Sequence, residues 1–231
     1  MADLEIIAIH DIGEVRPGDD LAELIVAADD AHLQDGDCLV ITQKVVSKAE
    51  GRLVDIDPTD PLSHKPLVEA ESVRILRRRG ELIISQTEHG FVCANAGVDL
   101  SNAPGEDIAV LLPVDPDASA RSLHEALSSD GAHTPVVITD TFGRPWRDGL
   151  VDVALGSAGL APIKDDRGSR DRVGRELLVT QPATADQLAA AAGLLMLKSA
   201  GIPVVVVEGF PIEGDGGVSD LLRDPALDLF R

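Results

Sequence analysis

Aromatic side chains are almost missing from this chain. Four phenylalanines, one tryptophan and no tyrosine make up 2% of 231 residues. The core must therefore be built from Val, Leu, Ile and Ala, and each ring is worth locating. Phe91, Phe142 and Trp146 fall inside the two segments singled out below, and Phe210 follows another apolar run. Plugs at the ends of strands and ligand-stacking rings are both open readings for them. Basic residues are also scarce, with 20 Lys and Arg against 40 Asp and Glu and a formal net charge of −20. A nucleic-acid partner needs a basic footprint, so none is expected. An anionic membrane surface is disfavoured on the same ground. Any nucleotide bound here must have its charge met locally, by metal ions and a few basic side chains. The acid excess itself suits solubility or a salty cytoplasm.

Cysteine is nearly absent too. Cys38 and Cys93 both sit in apolar, strand-like runs, where a free thiol behaves as a small hydrophobe. Two such residues make neither a disulfide framework nor a zinc spacing, and the six histidines show no ligand spacing. The N-terminal Met1-Ala2-Asp3-Leu4-Glu5 lacks the basic and apolar regions of a secretory signal. No apolar run approaches the length of a membrane span. A reducing cytoplasm is the expected compartment. Neither a Gly-x-x-x-x-Gly-Lys-Ser/Thr phosphate loop nor a Gly-x-Gly-x-x-Gly fingerprint occurs. Leu155-Gly156-Ser157-Ala158-Gly159 lacks the first glycine of a nucleophile elbow. A hydrolase triad, a zinc enzyme and a common NTPase are all poorly supported.

What is present is an ordinary soluble balance, 44% hydrophobic and 26% charged, in a chain long enough for one domain or two merged lobes. Strands are expected at Leu4–Ile9, Cys38–Thr42, Leu82–Ser85, Phe91–Asn95, Ile108–Leu112, Pro135–Thr139, Arg175–Thr180 and Ile202–Val207. Helices are expected over Leu21–Ala28 behind an Asp19 or Asp20 cap, Leu67–Arg79 stopped by Gly80, Ala118–Ser128 and Ala183–Ala200. Pro58–Pro66 reads as loop, and Gly149–Gly174 as loop or active-site wall. Strand pairs interleaved with single helices predict an α+β or mixed α/β fold.

Two apolar runs are each read as a strand that delivers an aspartate to a polar turn: Asp99 after Phe91-Val92-Cys93-Ala94-Asn95, and Asp140 after Val136-Val137-Ile138-Thr139. Hard divalent ions favour carboxylate, hydroxyl and water oxygens, which Asp99, Asp140 and the Thr141 hydroxyl offer. The competing reading is an Asx turn at Asp99 and a cap at Asp140. Lys48 is a candidate for neutralising phosphate, or a solvated lysine. Asn102 either reads a base or closes a turn. Arg144 and Arg147 either grip an anion or pair with surface acids. Arg77-Arg78-Arg79 reads as cations at a helix C-terminus. Lys164–Asp171 reads as a solvated loop first and a substrate-gripping loop second.

Several longer stretches resemble one family, the F420-0:gamma-glutamyl ligases. They are Arg16-Pro17-Gly18-Asp19-Asp20-Leu21, Val45-Val46-Ser47-Lys48-Ala49-Glu50-Gly51-Arg52 and Asn95-Ala96-Gly97-Val98-Asp99-Leu100-Ser101-Asn102. Leu112–Ala120, Ile138–Arg144, Gly174–Leu177 and Leu194-Leu195-Met196 complete the series in order. The resemblance implies a ligase that uses GTP to add L-glutamate, as a γ-linked tail, to a deazaflavin precursor through an acyl phosphate. It implies Mg²⁺ or Mn²⁺, two per site, with K⁺ as a further candidate. Asp99 and Asp140 would hold one ion and Thr141 the second, so both aspartates count as catalytic. Gly13, Glu14, Val15, Arg16, Gln43, Lys44, Lys48, Asn102, Met196 and Lys198 would line the nucleotide site. It further implies an intertwined homodimer, and a single ligase domain over residues 1–231 without the nitroreductase-like domain of many bacterial relatives. Two positions depart from the pattern: Leu197 stands where glycine is usual, and Gln43 where a small hydroxyl residue is common. An amide ligase for another carboxylate acceptor, and a non-catalytic nucleotide- and metal-binding subunit, are the alternatives.

Overall fold

A computed structural model describes residues 3–28, 33–128 and 132–228. The chain ends named above, Met1-Ala2 and Arg231, lie outside these residues. The fold is mixed α/β, with three sheets. The main sheet has five strands: β1 (Glu5–Ile9), β2 (Cys38–Thr42), β8 (Val136–Arg144), β9 (Arg147–Ala158) and β10 (Val204–Glu208). Their order is β1-β10-β2-β8-β9. All pairs are antiparallel except β2 and β8, which run parallel with Thr42 opposite Thr139.

The central strands are apolar on both faces, because each face is covered. Side chains alternate along a strand, so Leu39, Ile41, Val136 and Ile138 face one core while Cys38, Val40 and Val137 face another. The first core is closed by α1 (Leu21–Ala27), α2 (Gln43–Ala49) and α4 (Pro116–Leu127), the second by α5 (Thr184–Ala192). Local chemistry sets the helix starts. Asp20 and Asp115 are N-caps whose carboxylates accept the Glu23 and Ala118 amides. Asp117 in α4 accepts backbone N–H groups from Ser157 at 2.9 Å and Val218 at 2.8 Å, tying the helix to β9 and to the C-terminal segment. Gly156 permits that approach: a Cβ there would lie 2.2 Å from the Pro116 carbonyl oxygen.

A smaller lobe holds β3 (Leu53–Asp55) paired with β7 (Ile108–Val110), and β4 (Arg74–Arg79), β5 (Leu82–Gln86) and β6 (Val92–Ala94) in a second small sheet. Here the helix expected over Leu67–Arg79 divides. α3 covers only Lys65–Ala70, and Arg74–Arg79 is a strand hairpinned onto β5. The Ser72 hydroxyl bonds the Val68 carbonyl and Ser85, ending the helix, and pairing with β5 overrides helical preference. The three arginines therefore lie on an exposed strand and face no helix dipole.

Three other expectations change. Gly149–Gly174 is not wholly loop, since β9 runs twelve residues through its first part. Arg175–Thr180 is no strand: its backbone pairs with its own loop, bridging Arg170 to Glu176 and bonding Leu177 to Ser169 and Asp166 to Thr180. α5 stops at Ala192, after which Leu194 and Leu195 bond three residues back in tightened turns, leaving Met196 and Lys198 beyond the helix. Cys38 and Cys93 are buried free thiols, and burial pushes both up to about 12. The aromatics are not uniformly plugs: Phe91 is buried, whereas Trp146 is 79% exposed at the β8–β9 turn.

Candidate active site

β2 and β8 end their parallel pairing side by side, and the carboxyl ends of such strands are where open α/β sheets collect ligands. The chain leaves β2 directly into α2, placing Lys44 beside the pair. β8 does not stop at Asp140. Its partner β9 carries the ladder on to Arg144, so Asp140 is mid-strand, opposite Val153, and caps nothing. The register slips by one residue at Leu155, which sets Thr141 opposite Asp152. Asp99 likewise follows not a strand but a one-turn 3-10 helix at Asn95–Gly97, and bridges Val110. Its carboxylate accepts the Ser101 amide at 2.7 Å, so the Asx turn exists alongside any further role.

These elements surround a cavity of about 390 Å³. The Lys44 ammonium lies 2.6 Å from Asp99 Oδ2, and the more exposed Lys198 ammonium is at 3.9 Å. Burial pushes Asp99 up, but Lys44 and the Ser101 groups outweigh it and hold the carboxyl below its ordinary range. Asp140 goes the other way. Burial raises it from 3.8 to about 6, Lys44 and the Thr141 amide pull against that, and the Asp99 and Asp152 charges add to it. Lys44 is thus a cation serving two carboxylates. Lys48 is almost buried and reaches Glu14 across the cavity at 2.5 Å.

Of the expected site residues, Gly13, Glu14, Val15, Lys44, Lys48 and Asn102 line this cavity. Asp140, Thr141, Met196 and Lys198 line it as well. Asp99 joins them through its ion pairs. Arg16 does not line it; it is exposed, its amide donated to the Asp19 carboxylate in the turn that follows. Gln43 is fully buried behind the wall, taking the Ser47 hydroxyl on its oxygen at 2.8 Å with its amide nitrogen unpartnered. Arg144 and Arg147 face each other at the hairpin tip, away from the cavity. Asp165 and Arg167 pair with each other at 2.5 Å, as in a solvated loop.

Asn102 holds its side-chain amide 3.2 Å from the Lys198 carbonyl, and Lys198 reaches Ser101 at 3.1 Å. The two segments therefore clasp over the cavity, with Leu197 on its wall. Two features escaped the sequence. One is the Lys44–Asp99 pair, between residues far apart in the chain. The other is Asp152, whose signal was a lone carboxylate inside the apolar run Leu150-Val151-Asp152-Val153-Ala154-Leu155. Asp152 packs on the end of α5: a Cβ at Gly193 would meet its Oδ2 at 2.0 Å.

No cluster of three or more His, Cys, Asp or Glu side chains that could hold a metal occurs among the described residues. Asp99, Asp140 and Thr141 nonetheless fit an ion whose remaining ligands are phosphate or water oxygens, the usual manner of Mg²⁺. The Lys44 ammonium is paired with Asp99 and electrostatically favours the charged form of Asp140, so the carboxylates already attract a cation.

The model of F420-0:gamma-glutamyl ligases matches residues 10–209. The chain belongs to the F420-0:gamma-glutamyl ligase family. It is 43% identical to a coenzyme F420:L-glutamate ligase of Methanothermobacter thermautotrophicus, the match covering 99% of each chain. A protein of the same name from Methanopyrus kandleri is also 43% identical, over 94% of each. That of Haloarcula marismortui is 39% identical, over 99% of this chain and 96% of its own. Membership makes this chain one of a family of ligases, and no helix among the described residues is long and apolar enough to cross a membrane.

Proposed function

We propose that this F420-0:gamma-glutamyl ligase family member joins L-glutamate to the F420 precursor F420-0, using GTP. The observation that carries the reading is the Lys44 ammonium, 2.6 Å from Asp99 and electrostatically coupled to Asp140, beside the buried Lys48 in one cavity. That arrangement accepts cations and phosphate together. The relatives' names supply the two substrates to be joined, and the assay below tests the nucleotide directly.

Asp99, Asp140 and Thr141 would hold the divalent ions, two per site. Bound there, Mg²⁺ or Mn²⁺ would neutralise phosphate oxygens as a Lewis acid. The residues of the chain do the rest. Among the described residues Lys48 pairs with Glu14, a partner that phosphate can replace, so its ammonium is available to the triphosphate. The Ser101–Asn102 and Met196–Lys198 segments close over the nucleotide and exclude water. The acceptor carboxylate oxygen then attacks the γ-phosphorus and GDP leaves, giving an acyl phosphate. The glutamate amine attacks its carbonyl carbon, loses a proton and expels inorganic phosphate, leaving an amide.

The test incubates the protein with F420-0, glutamate, Mn²⁺, K⁺ and either GTP or ATP. One added glutamate mass, with GDP formed in equal amount and little reaction with ATP, is expected. GTP hydrolysis with no gain of mass would defeat the ligase reading. The same protein is proposed to act in the cytoplasm as a homodimer. Trp146 and Leu150 on the β8–β9 ribbon, with Leu178 and Val179 on the following loop, are apolar and 66–85% exposed, the kind of surface a second copy covers. Sedimentation should give twice the chain mass; a monomer at micromolar concentration would exclude it.

A further inference from the structure

A second cavity, about 570 Å³ in volume, lies where the smaller lobe meets the β8–β9 ribbon. Its walls are Phe91 and Val92 from β6 and the loop before it, Phe142 and Val153 from the ribbon, and Leu221 to Arg223 from the C-terminal segment. Three observations single it out.

The first is its rings. The chain has five aromatic residues in all, and two of them, Phe91 and Phe142, face this one cavity. Phe91 is held flat by stacking on His89, the ring centres 5.4 Å apart and 12° from parallel. The second is continuity with the active site. Side chains two apart on a strand share a face, so Asp140 and Phe142 point the same way. Val153, directly opposite Asp140 in the ladder, lines the cavity. Cys93 of β6 is near enough to feel the Asp140 charge. The cavity therefore begins where the catalytic carboxylate stands. The third is charge. Arg223 is the only cation on its wall, which the Asp186 and Asp224 carboxylates also line, and it has neither ion pair nor hydrogen bond among the described residues. In a chain with twice as many acids as bases, a guanidinium left open at a cavity rim is a ready donor to ligand oxygens.

We infer that this cavity seats the ring system of the acceptor, with its flat face against Phe91 and Phe142, its carbonyl edge toward Arg223, and its carboxylate directed along Phe142 to Asp140. Its walls combine the two rings and aliphatic side chains with the polar groups of Gln86, Asp186, Arg223 and Asp224, and the volume falls in the usual range of a few hundred Å³ for a small-molecule site. The nucleotide and the acceptor would then meet near Asp140 from two adjoining cavities. The inference rests on the function proposed above for its choice of ligand.

Two variants test it, read by binding rather than turnover. Val92→Trp fills the cavity from an exposed strand position, and Arg223→Gln removes the open donor. F420-0 is titrated against each protein in the presence of GDP and Mn²⁺, using the chromophore's own fluorescence, and GTP affinity is measured separately by calorimetry. V92W should weaken F420-0 binding by more than tenfold and R223Q by about tenfold, the loss of one charge-assisted hydrogen bond, with GTP affinity unchanged within twofold in both. F420-0 affinity unchanged in R223Q and V92W would overturn the assignment, as would a wild-type protein that binds no F420-0. Should V92W fail to fold, R223Q decides alone, because Arg223 is exposed. A wild-type protein that binds F420-0 in this Arg223-dependent way yet transfers no glutamate would remove the proposed function and leave the cavity assignment standing.

Discussion

Asp140→Asn removes glutamate transfer and at the same time makes the metal-free protein more stable. The two effects have one cause. Asp140 is half-buried mid-strand and largely desolvated, with Asp99 and Asp152 nearby, and only part of that cost is offset by Lys44 and the Thr141 amide. Its carboxyl is raised from 3.8 to about 6. Between those values the folded chain holds a proton that the unfolded chain has released, so stability falls as pH rises from about 4 to about 6. Above that window the loss is complete and constant. Two pH units correspond to about 3 kcal/mol, and part of it is recovered by any relaxation around the site. We expect metal-free D140N to exceed wild type by about 2 kcal/mol at pH 7 in urea unfolding, with the gap closing toward zero by pH 4. A gap of constant size from pH 4 to pH 7 would show that the carboxylate is not the source. On the activity side, losing a carboxylate that holds the metal should reduce kcat/KM by about 10³-fold or more. Near-normal turnover would end the metal role. A residue that weakens the fold and is indispensable to the reaction fits a site prepared for a cation.

How much of this was visible in the residues depends on how local the signal was. The caps at Asp20 and Asp115 were legible because a cap is settled within four residues. The buried strands at Cys38–Thr42 and Pro135–Thr139 were legible because a run that is apolar on both faces has few other homes. Asp140 was found for a partly wrong reason: it looked like the end of a strand because the polar residues after it looked like a turn. Its true partner, β9, lay in a stretch whose Gly, Asp and Arg content disguised a twelve-residue strand. The Arg77-Arg78-Arg79 strand was hidden in the same way, since only β5 across the hairpin makes it extended. Lys44 and Asp152 show the other limit. Each owes its place to residues far away in sequence, Asp99 for the first and Gly193 for the second, and no spacing within one segment announces such pairs. The list of nucleotide-site residues came from family resemblance, and the structure gathers most of it around one cavity while leaving Arg16 and Gln43 off its wall.

Lys44→Met should have the opposite effect on stability from D140N, although the two positions share one site. The Lys44 ammonium is 2.6 Å from Asp99 Oδ2, with both side chains largely buried, and it also opposes the charge of Asp140. Methionine keeps the length and apolar stem and removes the charge, leaving two half-buried carboxylates with only the more exposed Lys198, 3.9 Å from Asp99, for company. Taking one partner from a buried pair costs several kcal/mol, and the remaining solvent contact here reduces that to about 2–3 kcal/mol. The loss should be full at pH 7, persist to the ordinary carboxylate range, and disappear only below it, as pH falls through the lowered value of Asp99 in the wild type. Adding Mn²⁺ should restore K44M more than it stabilises wild type, because in the variant the ion meets no competing ammonium and ligand binding to the folded state adds directly to stability. The double variant K44M/D140N should lie closer to wild type than K44M alone, since one of the stranded charges is gone. Unchanged stability in metal-free K44M at pH 7 would mean that Lys44 does not hold this site together. Equal Mn²⁺ stabilisation of both proteins would mean that the ammonium and the metal do not compete for the same carboxylates, and the proposed ion site would have to be sought elsewhere in the cavity.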